Sequence, residues 1–412
     1  MKKKQIAIVG AGAAGMIAAI TAARSGAEVT LFERNDRVGK KLLATGNGQC
    51  NLTNTNCDQT RFHGEYPAFV NAVFDQFNVD DTITFFNTLG ALTVIEPDGK
   101  VYPRTLQAST ILDLLRFELE HPAISVKTQT PVNGLHKGKS CFTLHTPPGS
   151  FCADAVIVTC GSKAAPHLGG NGSGNELLVN LGHSSTATYP VLVPLKTDYP
   201  FSRHLKGTKV DASITVFVNN SETAKDHGEL LFTDYGLSGP PVIQLSIPVN
   251  EALHQKKQVY CEVDLFSDMQ KEQLAAHLQK IFRAKSRIPL ETALIGFVNK
   301  RLISSILTDS NCTDHRISAG KLHASDISSI VSTVKAWRFT LCGSLSWNDA
   351  HVSAGGIRTS EFNATTLESK KIRGLYAAGE ILDITGDCGG FNLQWAWSSG
   401  YVAACAAVKE LQ

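Results

Sequence analysis

A glycine cluster near the start of the chain has the spacing of a dinucleotide-binding turn. Gly10, Gly12 and Gly15 form the pattern G-x-G-x-x-G, and the acidic residue Glu33 follows about one helix and one strand later. In such a motif the first glycine permits a tight turn, the second lets backbone approach a pyrophosphate, and the third lets helix and strand pack closely. The helix N-terminus offers N–H groups to phosphates, and the acid accepts hydrogen bonds from ribose hydroxyls. The pattern therefore predicts a site for NAD or FAD.

A second glycine-rich segment, near the end of the chain, favours FAD over NAD. Residues 374–400 combine an apolar strand, a Gly-Glu pair and a Gly-Gly pair that opens a helix. A chain that returns to its first domain with a carboxylate and a second helix N-terminus suits a cofactor longer than one nucleotide. We predict that Glu380 or Asp383 holds the ribityl chain. The N–H groups around Asn392–Gln394 are expected to face the flavin N1–C2=O edge, where negative charge develops on reduction. The alternative is a buried closing helix behind an ordinary glycine turn.

The elements around the first motif predict one βαβ unit. Gln5–Val9 is expected to be a buried parallel strand, Ala13–Ser25 a helix and Glu28–Phe32 the second strand. Two later apolar runs, Ala155–Val158 and Gly374–Ala378, are predicted to join the same parallel sheet. Both motifs are therefore expected to lie at one sheet.

The ten cysteines are scattered, and no two of them have C-x-x-C spacing. This argues against a dithiol redox centre, a zinc ribbon and an iron–sulfur motif. Thr159-Cys160-Gly161 resembles the short turn by which many two-domain flavoproteins approach their cofactor, and we expect Cys160 to be a small buried residue rather than a reactive thiol. Cys388 could be a thiol near the flavin, but without a partner cysteine at motif spacing a structural role is favoured.

The middle of the chain has a different character. Short β-rich runs from Thr186 to Leu265 predict an inserted, mostly antiparallel β domain, and helical segments follow at Gln270–Phe282 and Leu290–Leu307. The predicted domains are residues 1–186 with 351–412 for FAD binding, 187–267 with 336–350 for the β-rich insert, and 268–335 for a helical subdomain. Because the dinucleotide motifs lie on both sides of the insert, its junctions are expected to flank the active site.

Composition and charge favour a soluble cytoplasmic protein. The formal net charge is +2 and no run of Lys or Arg exceeds three, so charge gives no positive argument for a dedicated nucleic-acid surface. Met1–Lys4 precede an uncharged run that resembles a signal peptide, but the glycines in that run and the regular strand that follows favour the βαβ unit. Scattered cysteines are typical of a reducing compartment, and no membrane association is predicted.

Four sequence blocks together resemble the aminoacetone-oxidase-like flavoprotein family, also called BaiN-like or YhiN-like. They are, in chain order, GKKLLATGNGQCNLTN at 39–54, HGELLFTDYGLSGP at 227–240, VSAGGI at 352–357, and GEILD with GGFNLQWAWSSG within 379–400. The resemblance runs from about residue 5 to 410. It implies FAD on an α/β domain of the glutathione-reductase type, a two-dinucleotide-binding Rossmann-like fold, with an inserted β-barrel-like domain and a helical subdomain. Gln49 departs from the family pattern, which usually has Arg there, and its effect on the loop is left open.

The residues expected at FAD come from both ends of the chain. They are Gly10, Gly12, Ala13, Ala14, Gly15, Glu33, Arg34, Lys40, Lys41, Gly46, Asn47, Gly48, Cys50, Asn51, Val132, Thr159, Cys160, Gly161, Gly379, Glu380, Asp383, Gly390, Asn392, Leu393 and Gln394. No metal site is predicted. Because no second G-x-G-x-x-G is present, there is no sign of a separate NADPH domain, although NAD(P)H could bind transiently as the hydride donor.

The activities known in the family leave the substrate open. They are oxidation of aminoacetone, reduction of a C=C conjugated to a ketone in bile-acid intermediates, and reduction of uridine in ribosomal RNA to dihydrouridine. The last two share chemistry, since a hydride from flavin N5 reaches the β-carbon of an electron-poor alkene and a proton reaches its α-carbon. We predict such a reduction, on a small molecule or on rRNA. Amine oxidation and a flavin-bearing regulatory protein with little turnover are the alternatives, and no oligomeric state is predicted.

Alkene reduction needs a proton donor. Tyr102, Arg104, His351 and His63 are candidates by residue type, but each is expected to be structural, so no catalytic residue is assigned. An amine oxidase would need an aromatic cage. Trp395 and Trp397 lie two positions apart on the predicted last helix and therefore cannot face one pocket.

Overall fold

The computed structural model describes residues 4–411, so Met1–Lys3 and Gln412 lie outside it. Met1–Lys3 belong to the segment that resembles a signal peptide. The chain divides into two compact units, one running to Tyr189 and resuming at His351, the other comprising Pro190–Ala350. Within the described residues, no helix combines the length and the apolar character needed to cross a bilayer.

The first unit is built on a five-stranded parallel sheet. In spatial order its strands are Leu375–Ala377, Ala155–Val158, Gln5–Val9, Glu28–Phe32 and Ile124–Lys127. The strands Gln5–Val9, Ala155–Val158 and Leu375–Ala377 are nearly continuous apolar runs because helices cover a parallel sheet on its faces. The first helix, Ala13–Arg24, packs against the last helix, Phe391–Leu411, so closely that a Cβ on Gly400 would lie 2.4 Å from the Ala14 carbonyl oxygen.

Smaller elements complete this unit. Three short antiparallel groups are Gly134–Lys137 with Phe142–Thr146 and Gly149–Ala153, Thr53–Asn54 with Lys100–Pro103 and Thr93–Ile95, and Phe62–His63 with Thr385–Gly386. The other helices are Phe69–Phe74, Val79–Thr88, Ala108–Glu118 and Ser173–Asn180, and Val352–Ala354 is a short strand. A parallel sheet beside a three-stranded antiparallel meander confirms the predicted two-dinucleotide-binding α/β fold.

The second unit contains a closed six-stranded barrel, which confirms the predicted β-barrel-like insert. In spatial order its strands are Leu195–Thr197, Gly236–Ser238, Ser221–Phe232, Lys209–Val218, Val259–Asp264 and Trp337–Ser344. Buried and less buried residues alternate along the last two strands, as expected where one face packs inside a barrel. The helices of this unit are Ser202–Leu205, Pro240–His254, Lys271–Ala284, Leu290–Ala293, Lys300–Asp309 and Ala324–Lys335.

One helix prediction in this unit was wrong, and one helix was not predicted. The single helix expected over Leu290–Leu307 is broken into two, because the Asn299 side chain accepts a hydrogen bond from the N–H of Arg301 and starts a new helix. The region expected to be β-rich contains the helix Pro240–His254. It begins after Gly239, whose φ is +104°, and the prolines in its first turn have no N–H to leave unsatisfied.

Candidate functional site

The three glycines of the first motif differ in how much space surrounds their Cα atoms. Gly10 has φ +106°, and a Cβ on it would lie 2.7 Å from the Thr159 carbonyl oxygen. A Cβ on Gly15 would lie 1.9 Å from the Gly10 carbonyl oxygen. A Cβ on Gly12, by contrast, would meet nothing within 4 Å. Packing of the protein itself therefore demands glycine at positions 10 and 15, whereas position 12 borders open space at a helix N-terminus, as a pyrophosphate site requires.

Glu33 closes the glycine turn from the neighbouring strand. Its Oε2 accepts a hydrogen bond from the N–H of Ala11 at 3.1 Å, and its Oε1 accepts from the N–H and the Nδ2 of Asn35, both at 2.8 Å. An ionised carboxylate offers about four acceptor positions, so capacity remains for a ribose hydroxyl. The residue thus lies where the sequence motif predicts it, and it also supports the turn. Arg34, next to it, is exposed.

The turn after the strand Ala155–Val158 packs directly on the glycine motif. Thr159 Oγ1 donates to the Gly10 carbonyl oxygen at 2.7 Å, and Cys160 Sγ lies 3.2 Å from the Val9 carbonyl oxygen. Burial raises the pKa of the Cys160 thiol to about 12. Cys160 is therefore a protonated thiol packed in the fold, as the sequence predicts, rather than a nucleophile.

Glu380 is the centre of a polar cluster that joins four segments of the first unit. Lys41 Nζ lies 2.7 Å from its Oε2, Ser162 Oγ donates to its Oε1 at 2.6 Å, and the N–H of Ser353 donates to the same oxygen at 2.9 Å. Gly161 is adjacent, since a Cβ on it would lie 3.9 Å from Glu380 Oε2. The carboxylate is partly exposed, so it can exchange one of these donors for a hydroxyl of a bound ligand.

Asp383 is more deeply enclosed than Glu380. Its Oδ2 accepts from the N–H of Glu65 at 3.1 Å, and a Cβ on Gly64 would lie 2.3 Å from its carbonyl oxygen. Burial raises the pKa of Asp383, and the negative charge of Glu65 raises it further. The hydrogen bond donated by the Glu65 N–H lowers the pKa and offsets these effects only in part. Of the two carboxylates expected at the ribityl chain, Glu380 is the accessible one.

The loop of residues 39–54 forms a compact turn with several left-handed residues. Gly46, Asn47 and Cys50 have φ near +55°, and Gly48 has φ +85°. The Cys50 side chain is buried, and burial raises the pKa of its thiol to about 12. Lys40 points to a different partner from Lys41, since its Nζ lies 2.5 Å from Asp36.

A buried acceptor in this loop lacks a partner within the described part of the chain. Asn51 Oδ1 accepts no hydrogen bond there. A Cβ on Gly390, at the start of the last helix, would lie 2.9 Å from that oxygen. Because an unsatisfied buried oxygen costs free energy, it indicates a place where a bound group would supply a donor. Together with the open face of Gly12, this makes the two ends of the chain fit FAD.

The start of the last helix is held by its own side chains. Asn392 Oδ1 accepts from the N–H of Gly386 at 2.8 Å, and its Nδ2 donates to the carbonyl oxygens of Gly386 and Asp387. The side chain of Asn392 thus shapes the preceding turn, and Val132, also expected at FAD, is buried in the core. A cofactor would meet the backbone of the first helical turn, from Phe391 to Leu393, whose N–H groups precede the first intrahelical bonds.

Gln394 differs from its predicted role. Its N–H donates to the Gly390 carbonyl oxygen at 2.9 Å, so this N–H does not face a ligand. Its fully buried side chain accepts from Thr53 Oγ1 at 2.5 Å and donates to Thr82 Oγ1 at 2.8 Å. The side chain lies on the buried face of the last helix. Its amide links that helix to the strand Thr53–Asn54 and to the helix Val79–Thr88. The Gln394 side chain therefore has a structural role in the fold, and its predicted place at the cofactor stays a prediction.

The two tryptophans of the last helix are both packed in the core. Trp395 Nε1 donates to the Gly379 carbonyl oxygen and Trp397 Nε1 to the Leu52 carbonyl oxygen, each at 3.0 Å. Phe69 and Phe86 make edge-to-face contacts with them. They therefore form no aromatic cage, in agreement with the sequence argument.

The four candidate proton donors lie in different surroundings. Tyr102 is nearly buried, and burial raises the pKa of its phenol. Arg104 is exposed. The pKa of His351 is lowered, first by desolvation and then by the charge of Lys41. Within residues 4–411, His63 is the one of the four with a carboxylate at hydrogen-bond distance, Asp387 Oδ1 at 2.7 Å from its Nε2. The sequence carried no signal for that partner, which lies 324 residues away.

Comparison with known proteins identifies the family of the chain. The family model described as the HI0933-like protein Rossmann domain matches residues 4–406. The chain is 38% identical to the 3-dehydro-bile acid delta(4,6)-reductase of Clostridium scindens, over 98% of this chain and 99% of that protein. It is 29% identical to the ribosomal RNA dihydrouridine synthase of Escherichia coli, over 98% of each chain.

Among solved structures, the fold is similar to that of 3-ketosteroid delta1-dehydrogenase from Sterolibacterium denitrificans. The TM-score is 0.50 at 11% identity, covering 99% of this chain and 100% of that chain. At this identity the likeness concerns the fold alone. The family match and the full-length relative decide the assignment. The chain belongs to the HI0933-like family, the BaiN-like FAD flavoproteins that its sequence blocks resemble, and it is an FAD-dependent oxidoreductase.

Proposed function

We propose that this protein reduces a carbon–carbon double bond conjugated to a carbonyl group. The observation that carries the proposal is the 38% identity, over nearly the whole length of both chains, to a reductase named for a 3-dehydro bile acid. The relative from Escherichia coli is named for making dihydrouridine, which is uridine with its ring double bond saturated. Both names describe addition of hydrogen across an electron-poor alkene, so the shared chemistry supports the reaction type more strongly than either substrate.

Different residues of the first unit would bind different parts of FAD. Gly12 and the first helix would bind the pyrophosphate, Glu33 the adenosine ribose, and Glu380 the ribityl hydroxyls. The N-terminus of the last helix would bring its positive dipole end to the flavin ring. Bound and reduced, FAD supplies the hydride that adds to the β-carbon of the substrate.

The remaining electrostatic groups favour a reduced, negatively charged ring. The Lys41 ammonium is paired with Glu380 at 2.7 Å, so it helps to hold that carboxylate and its own charge is largely offset there. The backbone N–H groups at the start of the last helix stabilise negative charge near them, since preorganised donors lower the cost of charge that develops during reaction. Asn51 Oδ1 supplies an acceptor for a donor of the bound group.

Several finer features belong to the same proposal. We infer that the electrons come from NAD(P)H bound transiently, because the chain has no second G-x-G-x-x-G motif for a resident nicotinamide. A steroid-like enone is favoured over a uracil base by the higher identity to the bile-acid reductase. A cytoplasmic location is favoured by cysteines without motif spacing.

Oxidation of a small aminoketone is the second candidate reaction, and a binding protein with little turnover is the third. An amine oxidase needs a neutral amine held over the flavin, commonly between aromatic rings. Trp395 and Trp397 do not offer such a cage, because both indoles are buried and bonded to backbone carbonyls. The arrangement therefore favours alkene reduction.

Anaerobic stopped-flow spectroscopy tests the proposal. The FAD-loaded protein is reduced with dithionite and mixed separately with a 3-oxo-4,6-diene steroid and with ribosomal RNA, while flavin absorbance is followed. In a parallel aerobic assay, the oxidised protein is mixed with aminoacetone and oxygen consumption is measured. We expect rapid reoxidation by the dienone with one saturated bond formed per flavin, and none by the matching saturated ketone. Oxygen-coupled turnover of aminoacetone without reoxidation by dienone or rRNA would contradict the proposal. Reoxidation by no substrate would favour the binding-protein alternative.

A further inference from the structure

His63 and Asp387 form a tight pair just before the last helix. His63 Nε2 lies 2.7 Å from Asp387 Oδ1. The aspartate is buried, whereas 40% of the His63 side-chain surface is exposed. One edge of the imidazole is thus fixed by a buried carboxylate, and the rest of the ring remains accessible. This is the arrangement in which a carboxylate orients a histidine for proton transfer.

The backbone holds both members of the pair. His63 lies opposite Thr385 in an antiparallel strand pair, and the N–H of Asp387 donates to the Arg61 carbonyl oxygen at 2.9 Å. The Arg61 guanidinium lies 3.5 Å from Asp387 Oδ2 and also stands over the ring of Phe391. These contacts restrain the histidine relative to the first residue of the last helix.

The pair is joined to the part of that helix assigned above to the flavin ring. Asn392 Nδ2 donates to the carbonyl oxygens of Gly386 and Asp387, at 2.7 and 3.2 Å. Only three residues separate Asp387 from Phe391, where the helix begins. We propose that His63 is the proton donor of the alkene reduction and that Asp387 is its positioning residue. This inference rests on the proposed function.

In the proposed step, a hydride and a proton add to the two carbons of the alkene. The alkene gains a hydride at its β-carbon, and the electron pair of the C=C moves onto the carbonyl oxygen. The imidazolium of His63 gives its Nδ1 proton to the α-carbon, which restores the carbonyl and completes a two-electron reduction. Asp387 stabilises the positive ring before the transfer and keeps Nε2 bonded. Neutral His63 then recovers a proton from water through its exposed edge.

The other polar groups of this unit are poorer donors on geometry. Tyr102 is nearly buried, with its ring close to the Gly46 turn. His351 is exposed, and no carboxylate of the described residues is shown holding it; desolvation and then the charge of Lys41 lower its pKa. Neither residue has a buried carboxylate at hydrogen-bond distance in the described part of the chain, as His63 does with Asp387.

The test separates the two half-reactions in H63Q and D387N. General acid catalysis contributes about 10²–10⁴-fold, so we expect the reoxidation of reduced H63Q by the dienone to slow by that range. D387N should slow it by about tenfold or more, because its amide no longer stabilises the imidazolium. FAD content, reduction by NAD(P)H and reoxidation by oxygen should stay unchanged. Added imidazole should restore part of the lost rate in H63Q. H136Q, which changes an exposed histidine of the meander, is the matched control.

The outcomes distinguish this inference from the proposed function. If wild-type enzyme is not reoxidised by the dienone, the proposed function fails. If wild type is reoxidised and H63Q, loaded with FAD, matches it within twofold, the assignment of His63 is overturned while the function stands. H63N provides a second variant of smaller volume. Loss of FAD from both variants would make His63 a structural residue and would also overturn the assignment.

Discussion

The Lys41 ammonium lies 2.7 Å from the Glu380 carboxylate, joining residues 339 positions apart in the chain. We predict that E380Q weakens FAD binding by about 1–3 kcal/mol, because the amide replaces a charged acceptor and leaves Lys41 without its counter-ion. Titration of the apoprotein with FAD measures the change. E410Q, which removes a surface ion pair with Arg373, is the control. Equal affinities of E380Q and wild type would show that the ribityl chain binds elsewhere.

Substitutions at Gly12 and Gly15 should fail for different reasons. A Cβ at position 12 meets no protein atom within 4 Å, so G12V should fold with nearly unchanged apoprotein stability and lose FAD binding. A side chain at position 15 would collide with the Gly10 carbonyl oxygen, so G15V should be destabilised with or without FAD. Urea unfolding of both apoproteins, followed by FAD titration, compares the two. FAD binding by G12V at wild-type affinity would refute the pyrophosphate assignment.

Replacement of Glu33 should affect both the turn and the cofactor. E33A removes the acceptor for the N–H of Ala11 and for Asn35, and it also removes the expected acceptor for ribose hydroxyls. We expect FAD affinity to fall by about 1–3 kcal/mol and the apoprotein to lose about 1–2 kcal/mol of stability. FAD titration and urea unfolding measure the two losses separately. A loss of stability with unchanged FAD affinity would make Glu33 a purely structural residue.

The main sheet could be predicted because its determinants are local. Gln5–Val9 and Ala155–Val158 are observed with the predicted bounds, since short apolar runs next to glycine turns specify buried parallel strands. The helix Pro240–His254 was missed because apolar and proline-rich sequence hid its period. The break after Ala293 was missed because an Asn cap decides it, and one capping residue is a weak signal within an apolar run.

The sequence predicted the site only where a residue type has a single structural role, as glycine has in a tight turn. Glycine spacing located the tight turn between the first strand and the first helix, but the roles of polar side chains depend on partners far away in sequence. Gln394 follows the helix N-terminus and was expected at the flavin, yet its side chain bonds to Thr53, 341 residues away. The pairing of His63 with Asp387 is likewise created by the fold. No local pattern distinguishes these cases.

Glu361 should make the stability of the protein depend on acid pH. Burial alone would raise its pKa, but hydrogen bonds from Lys371, Ser184 and His183 outweigh it and lower the pKa from 4.5 to about 2. The folded state is therefore stabilised above the ordinary pKa, and this contribution is lost as the pH falls from about 4.5 towards 2. E361Q should cost on the order of 2 kcal/mol at pH 7 and progressively less below pH 4.5. Urea unfolding from pH 7 to 3 checks this, and a pH-independent difference would contradict it.

Gln394 offers the sharpest distinction between a structural and a cofactor-binding residue. Its side chain is fully buried, accepts from Thr53 Oγ1 and donates to Thr82 Oγ1 and Ser398 Oγ. Q394L has nearly the same volume but leaves the Thr53 hydroxyl without its acceptor and removes the donor to Thr82 Oγ1 and Ser398 Oγ, so we expect a loss on the order of 3 kcal/mol of unfolding free energy.

Because its N–H and its amide are both hydrogen-bonded within the protein, Q394L that remains folded should bind FAD within about twofold of wild type, a change of about 0.4 kcal/mol. Urea unfolding of the apoprotein and FAD titration at low temperature measure the two quantities independently. Q394E keeps the acceptor for Thr53 but loses both donors, so it should be intermediate or less stable, again with affinity retained. Wild-type stability combined with a tenfold loss of FAD affinity would return Gln394 to the role that its sequence position first indicated.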